Sequence, residues 1–135
     1  MSLKEMKEVK VTEPVDLSEF EGKEVTIELA EPIWVDSKFH ESNKARCLKV
    51  ESEVVTTIKI DDKEVDIRAS ELLNLKQDSS GDWGYSSSPQ SNLQKFMKRH
   101  GVSHPSKLVG KKAKIKLRTK TTDEGQDLHF LGFIY

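Results

Sequence analysis

With a single cysteine, Cys47, the chain cannot form an internal disulfide, and no Cys or His pair stands at the spacing of a zinc finger or ribbon. Folding rests on packing alone. No apolar run approaches the roughly 18 to 20 residues that span a bilayer. The first ten residues, MSLKEMKEVK, alternate charges where a signal peptide carries an apolar stretch, so the expected compartment is the cytoplasm. There is no Gly-rich phosphate loop, and Ser86, Ser87 and Ser88 lack the context of a nucleophile. His100 and His104 straddle Gly101, which should end a helix, and no acidic or cysteine partner lies near them in sequence. A histidine complementing a helix end is therefore preferred to a metal ligand. The chain is expected to be no enzyme and to need no cofactor or metal.

What is present suits one compact core. At 135 residues and 35% hydrophobic, the chain has the material for a single domain, placed over residues 15–135. Residues 1–14 are polar and aperiodic and read as a flexible N-terminal arm. The net charge of -1 hides a strong segregation. Residues 83–122 hold ten Lys and Arg and no Asp or Glu, whereas the rest of the chain holds 12 basic and 23 acidic residues.

Strand periodicity dominates. Val25, Ile27 and Leu29 alternate with Glu24, Thr26 and Glu28, and Pro32 bends or bulges the strand before Ile33, Trp34 and Val35. After a polar loop at residues 36–43, Leu48 and Val50 lie opposite Cys47 and Lys49. Val54, Thr56, Ile58 and Ile60 alternate again; Asp61, Asp62 and Lys63 supply turn chemistry before Val65 and Ile67, which predicts a hairpin. Residues 51–53 fit either a tight turn or a bulge within one long strand. Residues 70–75 are a candidate helical turn, and residues 77–88 a loop bearing Trp83 and Tyr85. Ser88 as N-cap, Pro89 at the first position, an apolar face of Leu93, Phe96 and Met97, and Gly101 as terminator predict one helix. Residues 105–109 allow a further turn ended by Gly110. A strand follows with Ala113, Ile115 and Leu117 inward and Lys112, Lys114, Lys116 and Arg118 outward. Residues 121–125 turn the chain into a last strand with Leu128, Phe130, Gly132, Phe133 and Ile134. The residues expected to be mostly buried are Val25, Ile27, Leu29, Leu48, Val50, Ile58, Ile67, Ile115, Leu117, Phe130 and Phe133.

Two segments share a pattern: SEFEGKEVTIEL at residues 18–29 and SKLVGKKAKIKL at residues 106–117. Each combines a short turn, a glycine free to adopt backbone angles that other residues resist, and a strand with alternate residues directed inward. The element order over residues 20–135, three strands, a helix and two more strands, resembles the oligonucleotide/oligosaccharide-binding (OB) superfamily of the single-stranded nucleic-acid-binding type. The resemblance implies a mostly β protein: a small five- or six-stranded closed barrel with one helix between the third and fourth barrel strands. It also implies that the two strands carrying the shared segment are antiparallel neighbours, with Glu24 and Glu28 facing Lys112, Lys114 and Lys116. A hairpin at Asp61 would be an addition to that plan.

Fold alone does not give function, so residues must carry it. Single-strand binders stack bases on aromatic faces beside a cationic groove. Candidates are Trp34, Phe39, Lys44 and Arg46 around the first long loop, Trp83 and Tyr85 in the loop before the helix, Lys95, Lys98 and Arg99 on the helix, and Lys111 and Lys120 at the ends of the fourth barrel strand. Trp34 could instead anchor that loop, Phe39 could cap the core, and Trp83 and Tyr85 could pin their own loop. The expected partner is single-stranded DNA or RNA. The alternative is a protein-interaction module or accessory subunit that docks through its acidic and basic parts.

Overall fold

The computed structural model describes residues 16–37 and 43–135. The expected arm at residues 1–14 and the candidate Phe39 lie outside these. The alternating segments form β1 (Glu24–Asp36), β2 (Lys44–Ile60), β3 (Lys63–Asn74), β6 (Lys112–Thr121) and β7 (Asp127–Phe133). They join in the order β3-β2-β1-β6-β7, every pair antiparallel, and curl into a nearly closed five-stranded barrel. A two-stranded ribbon, β4 (Lys76–Gln77) with β5 (Trp83–Gly84), stands apart from that sheet. The helix α1 (Asn92–Arg99) lies between β5 and β6, because the ribbon is inserted ahead of it. No helix among the described residues is long and apolar enough to cross a membrane.

The inward residues of the strands meet the apolar face of α1. Val25, Ile27, Leu48, Val50, Ile115 and Phe133 are buried with Leu93, Phe96 and Met97, and the Phe96 ring stacks on Phe133 with centroids 5.7 Å apart. Leu29, Ile58, Ile67 and Leu117 are only half-buried. Phe130 corrects the expectation: it is 37% exposed, and Leu131 takes the inward place. Residues two apart share a face of a strand. Phe130 and Phe133 are three apart, so a regular strand cannot direct both inward, and the unbroken run from Phe130 to Phe133 does not show which parity the core selects. Cys47, expected opposite Leu48, is buried as well, its thiol 3.4 Å from Asn74 Oδ1.

Bulges explain how two strands run so long. The register of β2 on β3 shifts between Glu51 and Thr56, which resolves residues 51–53 as a bulge in one strand. The buried Ser52 repairs the broken ladder: its Oγ accepts from Ala69 N at 2.9 Å and donates to Glu53 O at 2.7 Å, while Arg68 Nη1 donates to Ser52 O at 3.0 Å. A second shift, of β1 on β2, lies between Ile27 and Leu29; the β1–β6 pairing ends at Thr26, so Glu28 falls beyond the lysine strand, and its carboxylate pairs with Arg68 at 2.8 Å. Of the expected cross-strand charges, Glu24 does stand opposite Lys114. The Asp61-Asp62 turn has both residues at positive φ, 51° and 63°, and joins β2 directly to β3, so the hairpin adds no strand to the barrel.

Two local expectations are corrected. Residues 70–75 form the end of β3 and the step out of it rather than a helical turn. There Glu71 and Leu73 point inward, and pairing with β2 satisfies the backbone that a turn would otherwise use. The helix begins three residues later than Ser88 and Pro89 suggest: Ser91 is the N-cap, its Oγ accepting from Gln94 N, and Ser88 Oγ accepts from Gln90 N in the turn before it. Ser91 and Gln94 have the spacing of a capping box.

Between β3 and β7 the barrel is closed by side chains. Glu71 Oε1 accepts from Phe133 N at 3.1 Å and from Arg118 Nε, and Arg118 Nη2 donates to Phe133 O at 2.9 Å. Arg118, expected outward with the lysines, folds instead over Gly132, with its guanidinium 4.8 Å from the Tyr135 ring centroid. A side chain at position 132 would collide with Glu71 Oε1 and come within 2.7 Å of Arg118 Nε.

Candidate nucleic-acid interface

A surface concavity lies where the β1–β2 pair meets the small ribbon. Trp34 and Arg46 are partners across β1 and β2, and the guanidinium carbon sits 4.5 Å from the indole centroid. This cation–π contact holds the arginine against the tryptophan ring. Trp34 is nevertheless 52% exposed. Trp83 approaches from β5 with ring centroids 6.1 Å apart and planes at 85°, so the two indoles form the walls of a corner. A cavity of about 470 Å³ opens on this corner, lined also by Pro32, Gln77 and Asp82.

The ribbon is shaped by its own loop. Asp78 Oδ1 accepts from Ser80 N and Asp82 N, each at 2.9 Å, Asp78 N donates to Asp82 O at 2.8 Å, and Gln77 Nε2 donates to Gly81 O at 3.0 Å. Gly81 adopts φ 88°, a conformation that disfavours any side chain. The loop presents Asp82 and Trp83 to a second cavity of about 370 Å³, which continues past Lys76 to Tyr85. The Tyr85 ring meets His104 edge-on at 5.5 Å, and His104 caps the single turn Pro105–Leu108 that bears Lys107. An aromatic row thus leads from the β1–β2 connection toward the basic segment.

The structure brings Trp34, Arg46 and Trp83 together and places Tyr85 beside them. Lys44 stands at the start of β2 opposite Asp36, at the same end of the strand pair. Lys95, Lys98 and Arg99 are exposed on α1, and Arg99 and Lys111 are both close enough to His100 to oppose its protonation. Lys120 is separate. Paired with Leu128 near the far hairpin, it lies nine residues from Lys111, about 30 Å along an extended strand. Gln77 and Asp82 were not among the sequence candidates; the D-S-S-G-D run at residues 78–82 has the composition of a tight hairpin loop and is the signal that could have placed them. Neither a family model, nor a curated protein, nor a solved structure matches the chain.

Proposed function

We propose that the chain is a non-catalytic, cytoplasmic OB-type barrel that binds single-stranded DNA or RNA. The observation carrying this is the corner of Trp34 and Trp83 with Arg46 packed on it. An exposed indole beside a fixed guanidinium offers a base a stacking face and its phosphate a cation. Support comes from the strand order, in which β1 lies between β2 and β6 as the first strand of an OB barrel lies between the second and fourth. Ligands of such barrels lie on the face of the second and third strands and against the loop joining the first two, and Trp34 and Arg46 flank that loop here. The ten basic residues of the later segment supply the longer-range field.

Fluorescence anisotropy with labelled single-stranded DNA, single-stranded RNA and duplex tests it. Single strands should bind with micromolar or better affinity at low salt, more tightly than duplex, and affinity should fall steeply as salt rises. Absence of micromolar binding to any single strand would leave the barrel as a protein-interaction module, and a stable protein complex recovered without nucleic acid would support that role.

A further inference from the structure

We infer that the two adjoining cavities hold two consecutive unpaired nucleotides, one in each, and that Asp82 selects bases carrying an exocyclic amino group. This rests on the single-strand binding proposed above. The cavities adjoin, with Asp82 and Trp83 lining both. At about 470 and 370 Å³, each has room for one nucleotide rather than two. Trp34 also lines the first cavity and Tyr85 the second. Each cavity thus offers a base an aromatic ring; in the first the two indole planes stand at 85°, so a base stacked on one meets the other with its edge.

The carboxylate decides which way the nucleotides face. A phosphate is repelled by Asp82, so the backbone belongs beside the cations that line the cavities, Arg46 in the first and Lys76 in the second. The base edges then point to Asp82. Adenine, cytosine and guanine each carry an exocyclic amino group that donates to a carboxylate, and pairing of an acidic side chain with the cytosine amino group is an established readout. Thymine and uracil offer one ring N–H between two carbonyl oxygens, which repel it. The loop also keeps Asp82 in place: its backbone N–H is held by Asp78, and its backbone carbonyl accepts from Asp78 N. The carboxylate of an isolated exposed side chain would have no such fixed origin.

The test measures affinities of oligo-dA, oligo-dC and oligo-dT, each about twelve nucleotides long, for the unaltered protein and for Asp82→Asn. Dividing the affinities within each protein cancels the general gain expected from losing a negative charge. The unaltered protein should prefer oligo-dC and oligo-dA to oligo-dT by about tenfold, a moderate value for one good base contact. Asp82→Asn should bring that ratio toward one, because an amide can donate to the carbonyl of thymine as well as accept from an amino group. Equal binding of all three oligomers by the unaltered protein overturns the inference while leaving single-strand binding intact, and so does a preference that survives in Asp82→Asn. Failure of every oligomer to bind overturns both.

Discussion

Val25 and Ala113 face one another across the β1–β6 pair, both buried, at the centre of a local two-fold exchange of hydrogen bonds. Gly22 N donates to Ile115 O and Gly110 N donates to Ile27 O; Ile115 N donates to Lys23 O and Ile27 N donates to Lys111 O, all four at 2.8 Å. Each donor and acceptor in one half occupies the matching position of the shared twelve-residue pattern in the other. The short 3₁₀ turns Ser18–Phe20 and Pro105–Leu108 precede the two glycines and bury Phe20 and Leu108 at equivalent points. The likeness in sequence therefore reflects one structural task performed twice, on the two strands whose pairing carries the barrel from its first half into its second.

Both glycines lie at positive φ, 81° for Gly22 and 90° for Gly110, and an added Cβ would meet nothing within 4 Å at either. Space is not the obstacle to a side chain there; backbone conformation is. Gly22→Ala and Gly110→Ala should each lose about 1 to 2 kcal/mol, the cost of a left-handed L-residue. Urea denaturation of the two variants measures it. A negligible loss in either would show that its turn relaxes to negative φ without breaking the exchange.

The clasp of Glu71 and Arg118 is a second test of how the barrel closes. Glu71 is 8% exposed, and removing its carboxylate strands both the Arg118 guanidinium and the Phe133 N–H. Breaking a buried pair costs about 3 to 5 kcal/mol; Arg118 keeps some access to water, so Glu71→Ala should fall near the lower end, about 3 kcal/mol. Gly132→Ala should be destabilised through the same contacts, because its Cβ occupies the space of Glu71 and Arg118. Chemical denaturation of Glu71→Ala, Arg118→Ala and the double variant would give the coupling between the two residues. Additive losses would show that the two side chains act separately and do not clasp the barrel.

The strands, the hairpin at Asp61, the buried face of α1 and the neighbouring of β1 and β6 were legible in the sequence, because each follows from a local period or a repeated pattern. The clasp was not. Glu71 and Arg118 are 47 residues apart and lie in segments that look solvent-facing until β3 curls round to β7. The parity of β7 was hidden for a related reason, since a run of adjacent apolar residues carries no alternation. At the candidate site, Trp34 and Arg46 were named separately, but their pairing depends on the β1–β2 register across a loop. The meeting of Trp34 with Trp83 depends on the ribbon, whose strands of two residues are too short to leave a period.

His100 gives the fold a dependence on pH. Burial first, and then the charges of Arg99 and Lys111, hold its imidazole below the usual value near 6.5. Its Nε2 is buried without a hydrogen-bond partner, and its ring packs edge-on against Phe96 at 4.8 Å. Just below pH 6.5 the unfolded chain binds a proton here that the folded chain does not, so this contribution to stability is complete above about pH 6.5 and is lost as pH falls through it. The melting temperature of the unaltered protein should therefore drop more between about pH 7 and 5 than that of His100→Gln. Parallel curves would mean that His100 titrates alike in both states.

Stacking and long-range attraction should separate in binding. Trp34 is an exposed wall of the first cavity, and loss of a base–aromatic contact costs about 1 to 3 kcal/mol. Trp34→Ala should weaken single-strand binding by that amount with the slope of log affinity against log salt nearly unchanged, because no cation has been removed. Lys95→Glu with Lys98→Glu should do the opposite: weaken all sequences alike and flatten the slope, since fewer counterions are released on binding. These two lysines lie on the solvent face of α1, opposite Leu93, Phe96 and Met97, so reversing them leaves the core in place. Anisotropy titrations at three or more salt concentrations distinguish the two effects. A flattened slope in Trp34→Ala would mean that the indole acts by holding Arg46 on the phosphates, and an unchanged slope in the charge-reversed variant would remove the helix from the binding surface.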